Sequence, residues 1–297
     1  MVERRIEQPP PGARADATGG SAPGAVQGVR FDHVGLALWR PTDLWPLMAG
    51  VLGGRFHGRG ANAGYGWSQL MFANGFVVEG LHPEYHEGTD FLDRFLQESG
   101  PGPHHLTFHV ADLDAAIATL AAAGVEVMGE DRQDPAWMEA VIHPRLAHGT
   151  VVQLVQVADR PPEPLELPEG FPEMPFDQPV ASLGRVVHAV ADLPAALVLF
   201  RDLLGGRVVS TGAAIDGNHW VELGWGGPGR LRLLEATHAD IAEFVGGRPG
   251  RLRHLFFNFD EPSYVPGARK VASGRGRWVV DADDVLGTRL VIASSAR

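Results

Sequence analysis

The chain has 297 residues, 44% of them hydrophobic, enough to bury a sizeable core and to build two domains or one large one. Its 25 Lys and Arg against 36 Asp and Glu leave a formal charge of -11, which argues against a surface that tracks phosphate backbones, so nucleic acid is not an expected partner. Absence of Cys excludes disulfides, thiolate nucleophiles and thiolate metal sites together, and any bound metal must be held by His, Glu, Asp or Gln.

Residues 1–27 carry charge where a secretory signal needs an apolar run, and Pro, Gly and Ala where a fold needs periodicity, so they read as a disordered tail. No stretch approaches the roughly 18 consecutive apolar residues of a membrane span, which makes a cytoplasmic location the expectation and a membrane an unexpected partner. The strand VRFDHVGLAL then alternates, with Val34, Leu36 and Leu38 on one face and His33, Gly35 and Ala37 on the other. A helix over 43–53 follows, ended by the Gly53-Gly54 pair, and strands over 55–60, 67–72 and 76–82 complete a βαβββ unit. The second unit has the same design. Leu106, Phe108 and Val110 face a helix that starts after the N-cap Asp112 and runs to Gly124, while His105, Thr107 and His109 point the other way. Strands near 125–129, 138–143 and 151–156 close it.

Segment 158–181, dense in Pro and acids, reads as a semi-extended linker. Beyond it the text repeats. HVADLDAAIATL at His109 returns as AVADLPAALVLF at Ala189, and VLGGRF at Val51 returns as LLGGRV at Leu203. The expected fold is therefore α+β, with two domains, 28–157 and 182–297, each made of a pair of βαβββ modules, the fourth of which, from Arg251, is short of its helix.

Two curled sheets side by side leave a cup lined by the non-helix face of every strand. His33, Glu79, His105 and Gln153 fall on that face by parity, at matching positions of the two modules. Imidazole with carboxylate or amide oxygen suits a divalent metal of intermediate hardness, Fe2+, Mn2+, Co2+, Ni2+ or Zn2+, so the duplication predicts one such ion between the modules. In the second half Arg185 and His254 stand for the opening histidines and Glu235 and Val291 for the closing residues, too few ligands for a metal. That half is expected to be structural, to cap or dimerise, or to bind an anion through Arg185. His188 turns toward its helix. His104 reads as the non-ligand of the His104-His105 pair, His143 as a turn residue, and His82, His86 and His148 as solvated loop histidines. Trp39, Trp45 and Trp67 read as packing residues, Trp67 alternatively as part of the cup mouth, and GRGANAG from Gly58 as a mobile turn rather than a phosphate loop.

The segments FDHVGLAL, GPHHLTFHVADLDAAIATLAAAGVEV and IHPRLAHGTVVQLVQ resemble the vicinal oxygen chelate superfamily, and most of all its methylmalonyl-CoA epimerase branch, over about residues 28–157. Residues 182–297 resemble it only in the repeat. The resemblance implies glyoxalase- and dioxygenase-like cups and the metal ligands His33, Glu79, His105 and Gln153. It also implies Glu where this chain has Gln153, and a catalytic Glu where it has Gln69. An amide relays no proton, so carboxylate-pair epimerisation loses its machinery unless His109 substitutes, and Glu79, Gln69 and His109 stand as the catalytic candidates. The expected function is metal-dependent Lewis-acid chemistry of lyase or isomerase type on a small vicinally oxygenated oxo or acyl substrate. Two rivals stand beside it: a non-haem Fe(II) dioxygenase using His33, His105 and Glu79 as a facial triad, and a non-catalytic small-molecule binding or resistance protein. A small-molecule substrate is the expected partner, with a homodimer as a possibility.

Overall fold

A computed structural model describes residues 24–61, 64–84, 91–158, 166–175, 177–214, 217–271 and 276–294. The first module runs through β1 (Arg30–Ala37), a helical stretch over Pro41–Leu44 and Trp45–Val51, β2 (Arg55–Ala61), β3 (Tyr65–Met71) and β4 (Val77–Pro83). A short helix, α1 (Phe91–Ser99), leads to the second module: β5 (Gly102–His109), α2 (Leu113–Ala122), β6 (Val127–Asp131), β7 (Trp137–Ile142) and β8 (Val151–Val157). The eight strands form one sheet in the order β2-β3-β4-β1-β5-β8-β7-β6, with β1 and β5 antiparallel at its centre.

The second half copies this plan. Its strands are β9 (Ser182–Val190), β10 (Arg207–Ala213), β11 (His219–Gly224), β12 (Arg230–Glu235), β13 (Gly250–Asn258), β14 (Arg269–Lys270), β15 (Arg277–Val280) and β16 (Arg289–Ala293), ordered β10-β11-β12-β9-β13-β16-β15-β14. Helix α3 (Leu193–Leu197) follows β9 and α4 (Ala239–Val245) precedes β13, while the fourth module keeps only a turn at Pro262–Tyr264 in place of its helix. Paired βαβββ modules in two halves, as the repeats indicate, are the architecture.

Period-2 alternation works as expected in the central strands. Val34, Leu36, Leu38, Leu106 and Phe108 are fully buried on the helix side, and Asp112 Oδ1 caps α2 by accepting from the Ala115 N–H at 2.9 Å. The helix-side faces of the two sheets then pack against each other through aromatic rings. Phe108 lies 5.0 Å from Trp225, Phe31 5.8 Å from Trp225, and Phe72 5.0 Å from Phe257. One apolar cluster therefore spans both halves. Backbones meet as closely as rings do, since a Cβ on Gly149 (φ +88) would lie 1.9 Å from the Gly250 carbonyl oxygen.

Several expectations are corrected. Of the N-terminal segment read as a tail, residues 1–23 lie outside the described residues, but Ala25 and Val26 are buried, and the Val26 N–H donates to the Leu203 carbonyl because apolar side chains at that position complete the shared core. Described parts of the 158–181 segment pack back on the first module instead of extending: Phe171 sits 5.5 Å from Trp45, and Gln178 donates to the Gly50 carbonyl. Helix α1 was not anticipated, although Leu92 and Leu96 place a buried stripe at i,i+4. Trp39 is exposed rather than packed. His82 is buried within β4, not solvated on a loop, and His86 falls outside the described residues, as do residues 62 and 63 of the GRGANAG segment. Among the described residues no helix is long and apolar enough to cross a membrane.

His188 ties the halves together. It is fully buried on the helix side of β9, and its Nε2–H donates to the His148 carbonyl at 2.8 Å. Burial pushes its pKa down to about 4, against which the bond to His148 works only in part. The unfolded chain, with an ordinary imidazole, therefore takes up a proton between about pH 6.5 and 4 that the folded protein refuses. Stability from this group is complete above that window and is lost as pH falls through it. His188→Ala should cost about 2–3 kcal/mol at neutral pH and flatten the acid limb of a denaturation-midpoint against pH plot.

Candidate metal centre

The geometry of the cup starts with two irregularities in the central seam. Register between β1 and β5 shifts between Phe31 and His33 on one strand, and between the partners of Gly35 and Leu36, which are His105 and Pro103, on the other. Each bulge inserts one residue, Asp32 and His104 respectively, directly before a cup-facing histidine. The first lets Phe31 join the core while Asp32 hydrogen-bonds His33.

His33, Glu79 and His105 come together, with one ligand atom of each lying within 4.8 Å of the others. Glu79 Oε1 is 3.5 Å from His33 Nε2 and 3.5 Å from His105 Nε2, and the two imidazoles stand edge to face at 5.5 Å. All three residues are buried, and both Nε2 atoms lack a hydrogen-bond partner. A buried imidazole nitrogen is costly to leave unmatched, and two aimed at one carboxylate oxygen fit a shared cation. The other atoms of the set are engaged. Asp32 Oδ2 binds His33 Nδ1 at 2.8 Å, His104 Nδ1 lies 3.2 Å from His105 Nδ1, and Gln69 Nε2 donates to Glu79 Oε2 at 2.8 Å. Each bond leaves the inward atom of its ligand free.

Gly35 makes this possible. It stands opposite His105 across the seam, and a Cβ there would lie 2.0 Å from the His105 ring. The glycine of the DHVG strand is the floor on which the second imidazole rests.

Electrostatics at the cluster favour positive charge. Burial opposes a charged His33, yet Glu79 and Asp32 overcome it and raise its pKa to about 10. Glu79, despite burial, is held well below the usual carboxylate range by His33 and His105. Asp32 is likewise depressed against its own burial, by hydrogen bonds from His109 and His33. His104 goes the other way, to about 3, through burial and its neighbour His105, and stays neutral beneath Phe95, whose ring is 4.9 Å away.

The remaining sequence candidates hold other positions. Gln153 faces the cup, but its amide oxygen accepts from Thr107 at 2.6 Å and its nitrogen donates to Glu139 at 2.8 Å. His109 is held between Arg30, which donates to its Nδ1 at 2.8 Å, and Asp32, 3.3 Å from its Nε2. Since Arg only donates, His109 presents Nε2–H to Asp32 and has no lone pair left for a substrate proton. Two carboxylates of the cup escaped the sequence reading. Asp32 hides on a bulge that breaks parity, and Glu139, which accepts from Trp137 and Gln153, sits on a strand read only as a closing element. Trp67 lines the α1-covered end of the cup with Leu92 and Leu96. His143 forms a turn, accepting from the Arg145 N–H. Of the residues at this centre, only His104 lines a cavity of about 510 Å³ between the halves.

In the second half register corrects one equivalence. Gly35 pairs Glu79 as Val187 pairs Arg232, so Arg232, not Glu235, holds the position of Glu79. The remaining equivalences stand, with Arg185 at the place of His33, His254 at that of His105, and Val291 at that of Gln153.

Residues 32–140 match the model of the family described as the Glyoxalase/Bleomycin resistance protein/Dioxygenase superfamily. No curated protein matches the chain. Among solved structures, a hypothetical protein from Staphylococcus aureus is 13% identical with a TM-score of 0.55, covering 90% of this chain and all of its own, which shows the two-half fold. The methylmalonyl-CoA epimerase of Mycobacterium tuberculosis is 26% identical with a TM-score of 0.41, covering 46% of this chain and 93% of its own. The family match is confined to the paired modules of the N-terminal half, which resemble those of the glyoxalase/bleomycin resistance/dioxygenase, or vicinal oxygen chelate, superfamily.

Proposed function

We propose that the N-terminal cup is a divalent-metal centre held by His33, Glu79 and His105, and that it performs Lewis-acid chemistry of isomerase or lyase type on a small, vicinally oxygenated, anionic substrate. The observation that carries this reading is the pair of buried, unmatched Nε2 atoms facing one carboxylate oxygen. When bound, the metal polarises substrate oxygens and stabilises charge that develops on them. The chain's own residues do the rest. Asp32 and His104 orient the two imidazoles, Gln69 fixes Glu79, and Glu139, whose partners Trp137 and Gln153 are neutral donors, is the carboxylate suited to accept a substrate proton.

A second reading, Fe(II)-dependent oxygenation, is favoured by the engagement of the Gln153 oxygen with Thr107, which leaves two imidazoles and one carboxylate. Stoichiometric O2 uptake by anaerobically iron-loaded protein selects it, and full activity with Zn2+ or Co2+ excludes it.

Metal content measured by elemental analysis tests the ligand set. Wild type is expected to hold one ion per chain, Glu79→Ala to lose it, and Gln153→Ala to keep it; equal metal in wild type and Glu79→Ala refutes the assignment. Gly35→Ala, which pushes on the His105 ring without touching a ligand, should weaken metal affinity by about 10- to 100-fold. Because His33 keeps its proton up to about pH 10 without metal, binding must expel it, and apparent affinity should rise about tenfold per pH unit over roughly pH 6–9. Calorimetry in buffers of different ionisation heat should read about one proton released at neutral pH, and none released would show that His33 is already neutral without metal.

A further inference from the structure

The second cup repeats the first with its charge reversed. Where His33, Glu79 and His105 converge in the N-terminal half, the equivalent positions hold Arg185, Arg232 and His254, and the position of Asp32 is Gly184. Gln69, opposite Glu79, becomes Glu222, opposite Arg232. Two guanidinium groups thus replace an imidazole and a carboxylate, and the remaining carboxylate moves one strand outward.

These arginines are built in. Arg185 and Arg232 have side chains only 18% and 20% exposed, and both donate to the same oxygen of Glu222, Arg185 at 3.4 Å and Arg232 at 2.8 Å. Arg185 Cζ lies over the Phe256 ring at 3.8 Å and Arg232 Cζ over the Trp220 ring at 3.7 Å, so each guanidinium is held against an aromatic ring. Arg277 approaches the same Phe256 ring at 6.0 Å. Two arginines therefore share one carboxylate, an excess of one positive charge in a partly buried cup, with the exposed Arg277 nearby. Burial and mutual repulsion lower the Arg185 pKa to about 10, and Glu222 is the one carboxylate acting on it. His254, half-buried behind them, is kept neutral by desolvation and by the surrounding arginines.

We propose that the C-terminal cup binds the oxyanion of a small molecule, a carboxylate or phosphate, between Arg185 and Arg232, with Glu222 as the internal counter-ion that it partly displaces. A planar fork on a fixed ring matches such an oxyanion bidentately, and its charge neutralises the excess. The site does not depend on the metal centre.

Isothermal titration of the full chain with inorganic phosphate and, separately, with malonate tests this and shows which oxyanion is preferred. Saturable binding of one anion per chain is expected. Arg185→Gln and Arg232→Gln should each weaken it by about tenfold or more, through loss of a charged hydrogen bond. Glu222→Gln should strengthen it, a result that damage to the fold would not give. Far-UV circular dichroism and thermal unfolding of each variant report folding. No saturable binding of either anion to wild type and Glu222→Gln, or binding unchanged in both arginine variants, overturns the proposal.

Discussion

The antiparallel pairing of β1 with β5 decides what the N-terminal cup can be. Two strands whose ladder ran without interruption would present side chains at fixed alternation and hold His33 and His105 no closer than their register allows. Here each strand carries one bulge immediately before its histidine, and Gly35 removes the side chain that would stand between the rings. The imidazoles then meet over Glu79, and the inserted residues, Asp32 and His104, become the partners that orient them. A pair of irregularities in hydrogen bonding thus produces both the ligands and their supports.

Burial shapes the energetics of this arrangement. A carboxylate at Glu79 and another at Asp32, both largely withdrawn from water, are tolerated because they face imidazoles that accept positive charge. A proton on His33 satisfies that demand. In the C-terminal half the same frame carries the opposite charge balance, which shows how little the βαβββ scaffold itself dictates about the ligand.

Much of this was legible in the residues. Alternation in VRFDHVGLAL and HHLTFHV assigned faces correctly for Val34, Leu36, Leu106 and Phe108, and parity alone brought His33, Glu79 and His105 to one surface. The repeats at Val51 and His109 disclosed the duplication. Bulges were not legible, because a period-2 count has no term for an extra residue, and so Asp32 was assigned no role. Neither was Gln153's choice of Thr107, a matter of side-chain rotamers that no spacing encodes. Glu235 was misaligned with Glu79 since similarity in the closing strands is too weak to fix register, which the pairing of Val187 with Arg232 settles. Packing of Phe171 on Trp45 and Phe56 is likewise a tertiary contact that composition obscures.

The aromatic contacts between the two sheets carry a consequence for how the gene product behaves as a unit. Phe31 and Phe108 turn toward Trp225 of the other half, and Phe72 toward Phe257. Proteolytic severing at the connector would bare these rings on both fragments, and such surfaces cohere or aggregate rather than persist alone. The two cups are in that sense one folding entity, inherited and lost together.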